Sequence, residues 1–229
     1  MIDDAFEWGS EWQSAFPIRS AREAAGAICE SWRILAARPR PGFNSKLREP
    51  VLTRALKAHV ENVTARKHGL LGMWATESVI NTIDPDTAEI TEERRYDIIY
   101  GWNDEHQSMQ MVFEFKKLDG KTKDRREYLG ANGLGRFVSG IYSRGQPLAA
   151  MVGILLDRFD VVVPPIHRSL GEQKTIDSLG ICVREDGPAI RRPSEIFSDA
   201  DFDTEHLRSA ELAPQSGSIH VAHIFLPFV

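Results

Sequence analysis

The most restrictive feature of the sequence is a long apolar run near residue 150. Residues 147–157 read PLAAMVGILLD and carry no charge before the final aspartate. An apolar segment of this length without polar alternation predicts a strand that is covered on both faces. Such a strand belongs inside a sheet that has helices on both sides. We therefore predict an α/β fold with a central mixed sheet flanked by helices.

Apolar periodicity predicts the elements that precede this strand. They are, in chain order, an amphipathic helix at 18–37, a second helix from Pro50 to about His68, antiparallel strands at 70–80, 93–102 and 106–118, and a helix at 128–143. From residue 43 onward the order is helix, three strands, helix and strand. We expect residues 1–42 to form an N-terminal helical extension packed on a main domain at 43–229.

The pattern after residue 157 is less regular. We expect strands at 160–170 and 176–183, a short helix within 193–212 and a final strand at 218–229. His220 and His223 on the final strand are three residues apart, so they point to opposite faces. We expect them at a strand end near the surface.

Composition and charge narrow the classes of function. The chain has 229 residues, of which 42% are hydrophobic, and a formal net charge of −5. This charge argues against binding nucleic acid through bulk positive charge. The N-terminus has no basic and apolar leader, and no run reaches the ~18 apolar residues of a membrane span, so we expect a cytoplasmic protein without membrane contact. Cys29 and Cys182 are isolated, which predicts buried thiols rather than a zinc or redox site.

The strand at 106–118 contains an acid and a base that a covered strand does not need. Side chains two residues apart share a face, so Glu114 and Lys116 lie together beside Val112, opposite the other apolar residues of the strand. Asp97 lies within the preceding strand, and a hairpin brings it close to Glu114. Neighbouring carboxylates raise each other's proton affinity, and a divalent cation removes that cost. These side chains predict a metal site; an ion pair on an exposed edge strand is the alternative.

An aspartate on one strand followed by E-F-K at 114–116 on the next, between flanking helices, resembles the PD-(D/E)xK nuclease superfamily of restriction-endonuclease-like proteins. The resemblance covers roughly residues 46–157 and implies the family core, αβββαβ. It implies that Asp97, Glu114 and the main-chain carbonyl of Phe115 bind Mg²⁺, for which Mn²⁺ substitutes. Lys116 would orient the attacking water and stabilise charge in the transition state.

Two further positions bear on this resemblance. Tyr96 precedes Asp97 where the family name has proline, and the Pro-Asp pair at 85–86 lies in a predicted turn. Many members complete the metal site with a glutamate from the first helix, and Glu49 is the candidate here. Glu49 falls about 60° from Leu52 on the helical wheel, so its carboxylate can point inward. A carboxylate at the start of a helix also complements the helix dipole, and both interpretations of Glu49 remain open.

Basic residues after the third strand are the candidate contacts for a nucleic-acid backbone. Lys117, Lys121 and Lys123 lie in one positive tract, which can meet phosphates even on an acidic chain. Arg136 is the candidate in the helix that follows. It falls about 200° from Leu134 on the helical wheel, so we expect a solvated side chain that faces away from the core.

These observations together predict a Mg²⁺-dependent endonuclease that hydrolyses phosphodiester bonds in DNA. Aspartate, glutamate and lysine at this spacing supply the oxygen ligands and the cationic group that such hydrolysis needs. Restriction or phage defence is the family-level expectation. The acidic net charge suggests that DNA affinity comes from a homodimer or from a larger helicase or ATPase partner. Two alternatives stay open: a non-catalytic interaction subunit of the same fold in a larger nucleic-acid-processing complex, and a nuclease directed to RNA.

Overall fold

A computed structural model describes residues 18–83, 86–88, 90–103, 108–213 and 217–228. Its helices are α1 (Ile18–Ala36), α2 (Glu49–His59), α3 (Thr122–Leu129), α4 (Leu134–Val138), α5 (Phe159–Leu170) and α6 (Gln173–Leu179). A π-helical segment, Val60–Thr64, and a short helix, Ala65–Lys67, continue α2. None of the helices in these residues combines the length and the apolar character that a membrane crossing requires.

The strands are β1 (Met73–Ile83), β2 (Ile90–Asn103), β3 (Ser108–Leu118), β4 (Leu148–Leu155), β5 (Val183–Arg184), β6 (Gly187–Pro188), β7 (Ile190–Arg191), β8 (Phe202–Leu207) and β9 (Ser218–Pro227). Seven of them form one mixed sheet in the order β1-β2-β3-β4-β9-β8-β7. β1, β2 and β3 form an antiparallel meander, and β3, β4 and β9 run parallel. β8 and β7 complete the far edge in antiparallel pairing, while β5 and β6 pair separately. The predicted α/β class with a central mixed sheet flanked by helices is confirmed.

β4 is the strand predicted from the apolar run, and all eight of its residues are buried. It lies between β3 and β9, so its backbone donors and acceptors pair on both sides. Gly153 in β4 permits a close approach of neighbouring side chains: a Cβ at this position would lie 2.6 Å from the ring of Phe225 and 2.7 Å from Leu118. A larger residue would push these side chains apart.

Helices create two apolar cores, one on each face of the sheet. α1 and α2 pack on the face that buries Met109, Met111, Phe113 and Phe115 of β3. α3, α4, α5 and α6 pack on the opposite face, together with Val112. The side chains of β3 therefore alternate between the faces as the period of a strand predicts.

Trp32 fastens α1 to the end of the central sheet. Its indole N–H donates to the carbonyl of Pro227, 2.8 Å away, and its ring makes edge contacts with Phe43 and Phe228 at centroid distances of 5.0 and 4.9 Å. The helix predicted at 18–37 is thus confirmed as part of the first core, whereas residues 1–17 of the proposed extension lie outside the described residues. Both cysteines are free and buried, as predicted.

The final strand predicted at 218–229 is confirmed as β9, but the strands predicted at 160–170 and 176–183 are wrong. Residues 160–170 belong to α5, and residues 176–179 belong to α6. Valine and proline in the first segment favoured an extended chain, but Val163, Ile166 and Leu170 recur at helical spacing and are buried on one side of α5.

The short helix predicted within 193–212 is also wrong, because β8 occupies Phe202–Leu207 and pairs with β9. Polar residues dominate β8, and hydrogen bonds to neighbouring groups satisfy them in the interior. The prediction that His220 and His223 lie near the surface is also wrong. β9 lies between β4 and β8, and both imidazoles are buried.

The helix predicted at 128–143 is divided into α3 and α4. α3 begins earlier, at Thr122, and the chain then turns tightly before α4. A Cβ at Gly133 would lie 2.2 Å from the carbonyl oxygen of Tyr128, so only glycine fits this approach. The turns predicted at 84–86 and 103–106 fall largely outside the described residues.

Candidate active site

The candidate site lies where β2 and β3 separate. Their pairing runs from Asn103↔Ser108 to Ile98↔Phe113, whereas β2 continues alongside β1 as far as Ile90. Asp97 is the first residue of β2 beyond the β2–β3 pairing, and its Oδ2 accepts the N–H of Phe115 at 2.8 Å. A carboxylate thus takes the place of a main-chain partner and holds β2 next to the charged end of β3.

Glu114 is the most buried charged residue of the site. Its side chain is 1% exposed, and Oε1 accepts from Lys116 Nζ at 2.7 Å and lies 3.5 Å from Arg136 Nη1. Oε2 is buried and has no hydrogen-bond partner among the described residues. Burial raises the pKa of Glu114 to about 8; the charge of Asp97 adds to this effect and Lys116 opposes it. A buried carboxylate oxygen without a donor is a group that a cation would satisfy.

The ammonium group of Lys116 interacts with three oxygen atoms of the site. Its ammonium donates to Glu114 Oε1 and to the carbonyl of Phe115, 2.9 Å away, and lies 3.6 Å from Glu49 Oε1. Burial lowers the pKa of Lys116, but the carboxylates of Glu114 and Glu49 outweigh burial and raise it overall. The ammonium is therefore held as a charged group within the carboxylate cluster.

Glu49 lies at the start of α2 and also points to the candidate site, so its position is compatible with both interpretations that the sequence left open. It is the first residue of α2 and is followed by Pro50, so its carboxylate lies at the positive end of the helix dipole. The same carboxylate also points to the site, where Oε2 accepts the N–H of Lys117 at 3.0 Å. Burial raises the pKa of Glu49, and the Lys116 ammonium partly offsets this effect. Leu52 and Leu56 anchor α2 in the first core and so fix the position of Glu49.

Arg136 does not behave as predicted. We expected a solvated side chain that faces away from the core, but the guanidinium reaches Glu114 and donates to the hydroxyl of Tyr142. It also lies over the ring of Tyr142, with 5.0 Å between Cζ and the ring centroid. The face of α4 that points away from the core borders the site instead of open solvent, and this location explains the difference.

The three lysines predicted to contact nucleic acid have different surroundings. Lys117 donates to the carbonyls of Ser45 and Leu47, both at 2.8 Å, and so holds the chain that leads into α2. Lys121 forms an ion pair with Asp119. Lys123 is exposed to solvent. Two of the three ammonium groups are therefore engaged within the protein.

The sequence interpretation missed a group of cations in the segment before α2. Residues 38–48 contain Arg38, Arg40, Lys46 and Arg48 and no acidic residue. Four cations in eleven residues on an acidic chain were a signal that could have identified it.

The candidate ligands supply carboxylate and carbonyl oxygens, which are the donor atoms that Mg²⁺ prefers. Asp97, Glu114 and Glu49 supply carboxylates, Phe115 supplies a carbonyl, and the unsatisfied Oε2 of Glu114 faces the interior. As they are placed, no three or more His, Cys, Asp or Glu side chains in the described ranges form a group that could hold a metal ion. The Lys116 ammonium contacts or approaches oxygens of three of the four residues that the resemblance assigns to the cation.

Comparison of the chain with protein-family models, with curated proteins and with solved structures finds no match in any of the three. The fold and the site nevertheless define a structural class. The protein is an α/β protein with a seven-stranded mixed sheet and, where two strands separate, a partly buried cluster of acidic and basic side chains around the buried Glu114.

Proposed function

We propose that the protein is a Mg²⁺-dependent endonuclease that hydrolyses phosphodiester bonds in DNA. The observation that carries the proposal is the environment of Glu114, a carboxylate that is 1% exposed, has one oxygen without a donor and lies beside further carboxylates. Buried ion pairs contribute little to stability, and apolar residues of similar volume usually serve a core as well or better. A costly cluster of this kind is typical of functional sites.

The side chains divide into a group that would hold the cation and a group that would act on the phosphate. Asp97, Glu114 and Glu49, with the carbonyl of Phe115, would hold Mg²⁺, and Mn²⁺ would substitute. When bound, this cation supplies Lewis acidity and lowers the pKa of water.

Lys116 carries the ammonium nearest to these oxygens and would orient the attacking water and stabilise negative charge on the phosphate. Arg136 adds a second positive charge 3.5 Å from Glu114. Its contact with Tyr142 limits the conformations of the guanidinium. Among the four candidate nucleic-acid contacts, Arg136 is therefore the one that lies at the site, where it would face the scissile phosphate.

The test is cleavage of plasmid DNA, linear DNA, single-stranded DNA and RNA by the wild type, Lys116→Ala and Glu114→Gln. Each substrate is incubated with Mg²⁺, Mn²⁺ or EDTA. We expect DNA cleavage that requires the metal and falls at least about 100-fold in both variants. Lys174→Ala, which removes an exposed charge on α6, is the matched control and should retain activity. Metal-dependent cleavage that persists in both site variants would refute the assignment, and cleavage of RNA alone would change the substrate.

One observation favours a second function, that of a non-catalytic interaction subunit. Lys116 already neutralises Glu114 and approaches Glu49, so the cluster is balanced by the protein's own charge. In that case no substrate would be cut in any metal, and Mg²⁺ would not raise the melting temperature of the wild type.

A further inference from the structure

The cations that the sequence suggested for phosphate binding are mostly occupied. Lys117 holds main-chain carbonyls, Lys121 pairs with Asp119, and Arg136 lies at the candidate active site. A chain with a formal net charge of −5 needs a local positive surface to hold DNA, because affinity for the backbone comes largely from the phosphates that cations neutralise. The question is where that surface lies.

A pocket of about 560 Å³ opens beside the segment that connects α1 and α2. Arg38, Arg40 and Lys46 line it, and Phe43 and Phe228 form its apolar wall. Arg38 and Lys46 are exposed. Within the described part of the chain, none of these three cations forms an ion pair with a carboxylate, although the Arg40 guanidinium donates to a main-chain carbonyl of α1 at 3.1 Å. The volume lies in the range of small-ligand pockets and is sufficient for one nucleotide.

The pocket has a defined shape because its loop is internally bonded. Arg40 and Phe43 exchange two main-chain hydrogen bonds of 3.1 and 3.0 Å. The Asn44 amide donates to the carbonyl of Arg40 at 2.8 Å, and Asn44 Oδ1 accepts the N–H of Lys46 at 3.1 Å. Phe43 packs against Trp32 of α1. Little conformational freedom would be lost on binding, which favours affinity.

Lys117 connects this pocket with the candidate active site. Its ammonium binds the carbonyl of Ser45, a residue that lines the pocket, and the carbonyl of Leu47. Its main-chain N–H binds the carboxylate of Glu49. The next residue towards the N-terminus is Lys116. The segment 45–49 therefore runs from the pocket, which Ser45 and Lys46 line, to the acidic cluster, which contains Glu49.

We propose that the pocket lined by Arg38, Arg40 and Lys46 binds a phosphate of the DNA strand, with its nucleotide, next to the phosphate at the acidic cluster. The inference rests on the proposed function, because it assigns the substrate contact that the acidic chain requires. Arginine and lysine side chains without carboxylate partners are the groups that recognise phosphodiesters. The apolar wall accommodates the sugar or base without selecting a sequence.

The test measures binding separately from cleavage. Fluorescence anisotropy of labelled single-stranded and double-stranded DNA in EDTA gives the dissociation constant across a series of salt concentrations. Arg38→Ala/Lys46→Ala is compared with Arg168→Ala/Lys174→Ala, which removes the same charge from exposed positions on α5 and α6. Each lost phosphate contact reduces the slope of log K against log salt by about 0.7 for single strands and about 0.9 for duplexes.

We expect the pocket variant to bind at least about 10-fold more weakly and its salt slope to fall by about 0.7 for single strands, because the pocket contacts one phosphate. The control variant should keep the wild-type slope, and Arg38→Lys/Lys46→Arg should restore it. Melting curves should coincide, because the substituted side chains are exposed. An unchanged slope in the pocket variant, an equal loss in the control, or no DNA binding by the wild type would overturn the inference.

Two further outcomes separate this inference from the proposed function. If the slope falls as expected but the wild type cuts nothing, the pocket binds DNA and the catalytic proposal fails. If the wild type cuts DNA but the slope is unchanged, catalysis stands and the pocket does not bind the strand. A deoxynucleoside monophosphate that binds as tightly as the oligonucleotide would make the pocket a mononucleotide site and would also overturn the inference.

Discussion

The buried side chains of His206, Thr204, His223 and Tyr128 form a chain of hydrogen bonds. One main-chain carbonyl at the end of this chain determines which atom donates and which accepts in each hydrogen bond. The carbonyl of Leu179 can only accept, so His206 Nδ1, at 2.8 Å, must carry a proton, and His206 Nε2 must accept from the Thr204 hydroxyl at 2.7 Å. Thr204 then accepts from His223 Nε2 at 2.9 Å, which leaves His223 Nδ1 as the acceptor for the Tyr128 hydroxyl at 2.9 Å. The chain links α3, which follows the candidate site, to β8 and β9.

Removal of one hydroxyl from this chain has a predictable cost. Tyr128→Phe leaves His223 Nδ1 buried without a donor, and an unsatisfied buried group costs about 1–3 kcal/mol. Thr204→Val leaves two ring nitrogens unsatisfied, so we expect a loss of roughly 2–6 kcal/mol in the free energy of unfolding. Thr204→Ser keeps both hydrogen bonds and loses one buried methyl group, about 0.8 kcal/mol. The predicted order of destabilisation is Thr204→Val, Tyr128→Phe and Thr204→Ser.

Urea denaturation of the three variants measures these free energies. For a chain of this length, each kcal/mol corresponds to a shift of roughly 2–4 °C in melting temperature. Nitrogen NMR of the imidazoles tests the directions independently: His206 should carry its proton on Nδ1 and His223 on Nε2. The reasoning is refuted if His223 is protonated on Nδ1, or if Tyr128→Phe is as stable as the wild type.

Two other predictions concern the stability of the same core. Burial lowers the pKa of His206 from 6.5 to about 4, so the unfolded chain binds the proton first and stability is lost as the pH falls from 6.5 towards 4. Denaturation at pH 6.5 and pH 5 should differ by about 2 kcal/mol from this residue, and His206→Gln should show a correspondingly smaller pH dependence; an equal pH dependence would contradict the prediction. Gly153→Ala places a methyl group 2.6 Å from Phe225 and should lower the free energy of unfolding by about 1–3 kcal/mol. Gly171→Ala, where φ is −81° and a Cβ has no neighbour closer than 3.6 Å, is the control for denaturation and should cost less than half as much.

The helices and strands up to residue 157 were predictable because the spacing of apolar residues indicates which faces of each element are buried. β4 is apolar on both faces and lies in the middle of the sheet, and β3 alternates as a strand should. The same rule fails for β8, which is almost entirely buried but reads FDTEHL. Its Asp203, Thr204 and His206 are satisfied by hydrogen bonds to other segments. No hydropathy pattern contains that information, because the partners are set by the tertiary structure. The restriction-endonuclease-like identity of the fold stays a prediction.

The grouping of Asp97, Glu114 and Lys116 was predictable because these charged residues depart from the apolar pattern of their strands. A charge within a strand conflicts with its surroundings, and such a local conflict is itself a signal of function. The partner of each cation was not predictable, because it depends on which loop passes nearby. Lys117 lies next to Lys116 in sequence but binds two carbonyls of a segment about 70 residues earlier. The chemical roles of the grouped residues stay predictions until cleavage is measured.

Arg136 shows why charge partners must be derived from the tertiary structure before phosphate contacts are assigned. The helical wheel placed it correctly on the face opposite Leu134, which is buried in the second core. That face does not meet open solvent, since α4 lies against the opening between β2 and β3 and Arg136 on this face reaches Glu114. The reverse holds for the segment at 38–46. Its cations lie between two helices, and no carboxylate within the described residues neutralises them. These charges are therefore available to a phosphate, and the binding test at Arg38 and Lys46 gives its result whether or not the cluster at Glu114 cuts DNA.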